Sequence, residues 1–129
     1  GTGSGYQAAI IAELCERVYT IEIIASLAET AKKTLSGLGY ENVHVKIGDG
    51  FKGWPEHAPF DAIIVTCSPT AVPEPLKEQL AEGGRMVIPV GKSSDQQLVL
   101  LEKQEGKLLK KEMLPVLFVP MVDDRGKPY

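Results

Sequence analysis

The stretch GTGSGY, residues 1–6, decides how the rest of the chain is read. Glycines at positions 1, 3 and 5 let the backbone approach a ligand closely and adopt positive φ, which other residues resist. A loop of this kind leads from a strand into a helix. From Tyr6 to Arg17 the apolar residues Ala8, Ile11, Ala12 and Cys15 recur at helical spacing, predicting a helix with one buried stripe that includes Cys15. The strand expected before the loop would precede Gly1. With no Met in front of Gly1, the chain reads as starting at a cut edge.

Downstream of this helix, VYTIEI (18–23) is a short β-branched run and predicts a strand that places Glu22 near its end. Ser26 and Glu29 match the S-x-x-E capping box, so a second helix is expected, buried through Ala28, Ala31, Leu35 and Leu38 and stopped by Gly37 and Gly39. Val43, Val45 and Ile47 alternate with His44 and Lys46 as in a half-exposed strand. FDAIIVT (60–66) reads as a strand covered on both faces. VPEPLKEQLAEGG (72–84) reads as a helix ending at the glycine pair, followed by the strand RMVIPVG. Strand alternating with helix argues for a parallel α/β sheet. QLVLLEK and the run 108–119, separated by Gln104, Glu105 and Gly106, predict a C-terminal antiparallel hairpin, and the polar tail DDRGKPY is expected to be loose.

Bulk properties bound the function. A chain of 129 residues is one domain in size, and 43% hydrophobic with 24% charged residues is the composition of a soluble globular protein. A net charge of −3 with scattered lysines provides no nucleic-acid footprint, and no apolar run approaches the roughly 20 residues that span a bilayer. The 2 cysteines, Cys15 and Cys67, form neither a zinc pattern nor a disulfide framework, so a reducing cytoplasm and no metal are expected.

The glycine loop also bears on the ligand. A nicotinamide cofactor calls for G-x-G-x-x-G, with its pyrophosphate at a helix N-terminus, and Tyr6 occupies the place of the last glycine. G-x-G-x-G suits a ligand without a pyrophosphate, for which S-adenosylmethionine is the candidate. Glu22, as an acid at the end of the second strand, can accept hydrogen bonds from both ribose hydroxyls, or it is simply a solvated charge. Asp49, between Gly48 and Gly50, can meet an adenine amino group or form an ordinary Asp-Gly turn.

Taken in order and spacing, GTGSGY, RVYTIEI, LGYENVHVKIGDG, GWPEHAPFDAIIVT, VPEPLKEQLAEGGRMVIPVG and LPVLFVPMV resemble the protein-L-isoaspartate O-methyltransferases over nearly the whole chain. The resemblance implies a Rossmann-like class I S-adenosylmethionine-dependent methyltransferase sheet, mostly parallel with the C-terminal antiparallel hairpin, in a single domain over 1–129. It implies that Gly1, Gly3, Ser4, Gly5 and Tyr6 line the methionine end of the cofactor, Glu22 the ribose, and Asp49 and Gly50 the adenine. Isoaspartyl peptides or proteins are the implied substrate, and S-adenosylhomocysteine the product.

Family members carry further chain before this loop, including a first strand, here missing, and a Ser/Thr-bearing substrate segment. No residue of this chain inherits that catalytic position. The missing strand would lie in mid-sheet between VYTIEI and FDAIIVT, so the piece is expected to be marginally stable and to close the gap, to self-associate by borrowing a strand from another copy through the exposed sheet edges, or to order only with a partner. Lacking the substrate segment, it is expected to have little or no activity. Thr66, Cys67 and Ser68 are candidates to face the substrate or the cofactor, although relatives are richer in alanine there and a plain capped loop is the alternative. Val119, Pro120 and Met121 resemble the segment beside the isoaspartyl peptide, with ordinary hairpin packing as the alternative. Competing functions are a cofactor-binding module or pseudoenzyme without catalysis, a methyltransferase with another substrate, and an interaction fragment.

Overall fold

The computed structural model describes residues 1–92 and 94–129. They form two compact units, Gly1–Gly50 and Phe51–Tyr129.

In the first unit, α1 (Tyr6–Ala12), β1 (Val18–Glu22), α2 (Ala25–Gly37) and β2 (Val43–Ile47) follow one another. The strands pair in parallel from Val18–Val43 to Glu22–Ile47. Ala8, Ala12, Val18 and Leu35 make the core, with Ile11, Tyr40, Val43 and Val45 packed on it. The first helix stops well short of Arg17. Asn42 Nδ2 donates to the carbonyls of Ala12 (3.0 Å) and Cys15 (3.1 Å), drawing the chain off the helical path. Cys15 is consequently exposed rather than core.

The start of α2 departs from expectation, while its end falls at Gly37 and Gly39 as expected and only the burial of Leu38 fails. No Ser26–Glu29 capping box forms, because the N-cap is Ile24 rather than Ser26 and the helix begins two residues earlier than the box requires, at Ala25. The amide of its N-cap residue Ile24 donates to Glu22 Oε1 at 3.0 Å, so a carboxylate from β1 does the capping. At the other end, Gly39 has φ 84° and donates to Ser36 O, while Tyr40 N–H donates to Leu35 O. This is the Schellman closure, and it swings Leu38 out to 67% exposure instead of burying it.

The second unit holds β3 (Phe60–Ile64), α3 (Glu74–Glu78), β4 (Leu80–Lys92), β5 (Asp95–Gln104) and β6 (Lys107–Val116). Its sheet runs β3-β4-β5-β6, with β3 parallel to β4 and the other neighbours antiparallel. Leu76, Leu80, Met86, Ile88, Val99 and Leu101 form the core. β3 was expected to be covered on both faces, but as an outer strand it leaves Ile64 exposed.

The expected helix to Gly84 is cut to α3. Phe60 N–H takes the Gln79 carbonyl at 2.8 Å and pulls Leu80 into the sheet opposite Phe60. The residues up to Gly84 then loop out before pairing resumes at Ala62–Arg85. Gly84 is needed there, since a Cβ would lie 2.8 Å from Ala81 O and 3.0 Å from Asp61 O.

The hairpin forms as read. Its turn residues Glu105 (φ 51°) and Gly106 (φ 72°) both have positive φ, the geometry that matches strand twist in two-residue hairpins. The Glu82 carboxylate accepts both their amide protons. The strand β6 ends at Val116, however, and does not reach Val119.

The tail is not loose. Asp123 Oδ1 accepts the amides of Arg125 (2.9 Å) and Lys127 (2.8 Å), and Tyr129 stacks on Phe51 with ring centroids 4.0 Å apart. The Lys127 amide above all holds the Asp123 carboxyl below its ordinary range.

Candidate functional site

The glycine loop and the acid of β1 are joined in the first unit. Thr2 N–H donates to Ile21 O (3.1 Å), and the Thr2 and Thr20 hydroxyls are 2.7 Å apart, so the loop is laced to β1. Gly3 N–H then donates to Glu22 Oε2 at 2.9 Å. Together with the Ile24 amide on Oε1, this gives each oxygen of a carboxylate only 5% exposed one backbone donor. A carboxylate has about four acceptor sites, so one on each oxygen is still available for a hydroxyl.

The glycines divide their work. At Gly3 (φ 55°) a Cβ would meet nothing within 4 Å, which leaves open space beside the loop. Gly5 (φ 87°) is the N-cap residue of α1, and a Cβ there would sit 3.1 Å from Leu35 Cδ1. It therefore permits the close helix packing that the last glycine of a dinucleotide loop provides. Gly1 and Ser4 are exposed, as is Tyr6. Asp49 and Gly50 follow β2 and are half-buried. Since Glu22 pairs with Ile47 and its carbonyl accepts the Gly48 amide, they leave the sheet at the same carboxyl end as Glu22. This is the end where open α/β sheets bind ligands.

In the second unit Thr66 and Cys67 are half-buried beyond β3, and Ser68 is buried. Ser68 N–H donates to Val119 O (2.8 Å) and its carbonyl accepts Met121 N–H (2.9 Å), forming a parallel bridge centred on Ser68 and Pro120. Two separately read segments, TCS (66–68) and VPM (119–121), are thus brought together through Ser68. Val119 and Pro120 are exposed while Met121 is packed inward. Sequence reading missed Thr2, which ties the glycine loop to β1, and Gln96, whose side-chain amide holds Phe118 just before Val119. Neither carries a pattern, since a hydroxyl between glycines and an amide among polar residues are both ordinary surface chemistry.

The fold places the chain among the Rossmann-like class I S-adenosylmethionine-dependent methyltransferases. A solved protein-L-isoaspartate O-methyltransferase superposes with a TM-score of 0.89 at 35% identity, over 98% of this chain and 41% of that one. A second, described as a putative protein-L-isoaspartate O-methyltransferase from Plasmodium falciparum in complex with S-adenosyl-L-homocysteine, gives 0.79 at 27% identity, over 94% and 62%. A protein-L-isoaspartate O-methyltransferase of Opitutus terrae is 57% identical over 99% of this chain and 54% of its own length.

The protein-L-isoaspartate(D-aspartate) O-methyltransferase family model matches residues 1–126, and the chain belongs to that family. It spans between 50% and 62% of the length of the curated relatives it matches first.

Proposed function

We propose that residues 1–129 carry the S-adenosylmethionine site of a protein-L-isoaspartate O-methyltransferase, and that the whole protein methylates the free carboxylate of isoaspartyl residues in damaged proteins. The observation that carries this reading is the Glu22 carboxylate, fixed at the carboxyl end of β1 between the Gly3 and Ile24 amides. The family match and the S-adenosylhomocysteine complex of the Plasmodium falciparum relative support the same ligand here.

The residues fit that ligand: Gly3 leaves space beside the loop, and Glu22 retains acceptor capacity for ribose hydroxyls. Gly1, Gly3, Ser4, Gly5 and Tyr6 hold the methionine end, Glu22 the ribose, and Asp49 with Gly50 the adenine. Thr66, Cys67, Ser68, Val119, Pro120 and Met121 form the substrate-side segments. Bound there, the sulfonium supplies an electrophilic methyl, so that a carbon–oxygen bond forms to the carboxylate as the sulfur–carbon bond breaks and its electron pair stays on sulfur. The substrate carboxylate is ionised near neutral pH, so the protein's task is to position it rather than to deprotonate it.

Calorimetry with S-adenosylhomocysteine, on residues 1–129 and on the full-length protein, tests the binding site. Methyl transfer to an isoaspartyl peptide by the full-length protein tests the reaction. Binding without transfer would assign a cofactor-binding module, and no binding would remove the reading. Self-association through open sheet edges belongs to the same proposal, supported by exposed Ile64 on the outer strand β3, and sedimentation over a range of concentrations measures it.

A further inference from the structure

Gln96 is buried to 3% exposure, and both ends of its side-chain amide grip one residue of the segment that follows β6. Its Nε2 donates to Phe118 O at 3.0 Å, and its Oε1 accepts Phe118 N–H at 2.6 Å. The backbone register explains why an amide is needed. Gln96 pairs with Val116, so a continued antiparallel ladder would bring residue 94 opposite Phe118. The strand β5 starts only at Asp95, however, and the Gln96 side chain supplies the N–H and C=O of the peptide group that β5 lacks.

The grip falls where the proposed substrate segment begins. From Phe118 the chain runs directly into Val119, Pro120 and Met121, held from the other side by the backbone of Ser68. The segment is therefore fixed at Phe118 by a side chain and at Val119 and Met121 by main chain, although it lies outside every strand.

We propose that Gln96 is a positioning residue for the isoaspartyl substrate: it sets the register of Phe118–Met121 so that Val119 and Pro120 present a fixed surface to the peptide. This inference rests on the methyltransferase reading above. Gln96 touches neither substrate nor cofactor in this role. It should govern KM for the peptide and leave cofactor binding alone.

The test uses the full-length enzyme with Gln96→Leu, which keeps the bulk and removes both bonds, and Val99→Ala, a core cavity away from the segment, as the control for general softening. Steady-state kinetics on an isoaspartyl peptide should show KM raised at least about tenfold for Gln96→Leu, the loss of about 1.4 kcal/mol. S-adenosylhomocysteine affinity should stay within twofold, and Val99→Ala should keep the wild-type KM. Amide hydrogen exchange should show lost protection at Phe118 and Met121 in Gln96→Leu. A Gln96→Glu variant supplies a second readout, because protonation restores the missing donor and its KM should fall back toward wild type as pH is lowered. An unchanged KM in Gln96→Leu, or an equal rise in Val99→Ala, would overturn the inference while wild-type methylation left the function standing. Wild-type enzyme that methylates no isoaspartyl peptide would end the function itself, and unchanged protection at Phe118 and Met121 would independently end the claim of positioning.

Discussion

Replacing Glu22 by Gln tests the joint between the glycine loop and β1 with almost no change of shape. The carboxylate accepts Gly3 N–H at 2.9 Å and Ile24 N–H at 3.0 Å. A glutamine has one oxygen and one NH2, so one of these amides must face another donor. The variant loses one charge-assisted bond, worth about 1.5–3 kcal/mol, and reduces the other to a neutral bond weaker by roughly 1 kcal/mol. At 5% exposure little solvent is at hand to replace either, so the local cost is about 2.5–4 kcal/mol. At 1.4 kcal/mol per tenfold, that is an increase of roughly 60- to 700-fold in opening of the loop. Hydrogen exchange at the Gly3 and Ile24 amides reads this directly, without requiring the two units to unfold together. Calorimetry with S-adenosylhomocysteine on the same variant should show affinity reduced at least tenfold, because the ribose acceptor and the loop are altered together. Protection within threefold of wild type at both amides would refute the clamp. Lost protection with full ligand affinity would keep the clamp and remove the ribose role.

Two further predictions separate local effects. Gly5→Ala combines φ 87° with a Cβ placed 3.1 Å from Leu35 Cδ1, and should destabilise the first unit by about 2–4 kcal/mol, while Gly3→Ala at φ 55° with open space should cost only about 1 kcal/mol. Urea denaturation of the pair should rank them so, and equal losses would contradict the packing role of Gly5. The Asp123 carboxyl is lowered below its ordinary 3.8 chiefly by the Lys127 amide, so its contribution to the tail turn is present above that value and lost as pH falls through the lower folded pKa. Protection of the Arg125 and Lys127 amides, taken relative to their intrinsic exchange rates, should fall over that acid window in the wild type, and should already be lost at neutral pH in Asp123→Ala. A wild-type turn indifferent to acid would refute it.

Most of the element order could be read from periodicity and turn residues. β1, β2 and the hairpin are where VYTIEI, VHVKI and the Gln104–Gly106 turn put them. What failed were helix ends, and each failure has a side-chain or backbone cause remote in sequence. Asn42 ends α1 from 30 residues away, and Phe60 converts the end of an apparent helix into β4. Glu22 caps α2 in place of Ser26 because it can reach the Ile24 amide. Propensity sees only neighbours in sequence, whereas these contacts exist only once the strands have paired. Of the candidate site, Glu22 and the glycines stood out in the sequence because their chemistry is unusual for their positions. Gln96 and Thr2 were not, because their roles depend on which backbone groups arrive opposite them.

Three buried or nearly buried polar residues solve the same problem in this chain, and their identities follow from what each loop offers. Glu22 meets two donors, the Gly3 and Ile24 amides, and only an acceptor at both ends can satisfy them. Gln79 meets one of each, accepting Trp54 N–H at 2.8 Å and donating to Lys52 O at 2.9 Å. Gln96 likewise meets the N–H and the carbonyl of Phe118. Each side chain replaces a length of ladder where the chain has left the sheet, and among the described residues no buried side-chain nitrogen or oxygen lacks a partner. A loop tied down in this way has given up part of its conformational entropy during folding, so a ligand that meets it need not order it again. The carboxylate and the two amides therefore act ahead of any chemistry: they make irregular backbone as fixed as a strand, with geometry dictated by the donors and acceptors each loop presents.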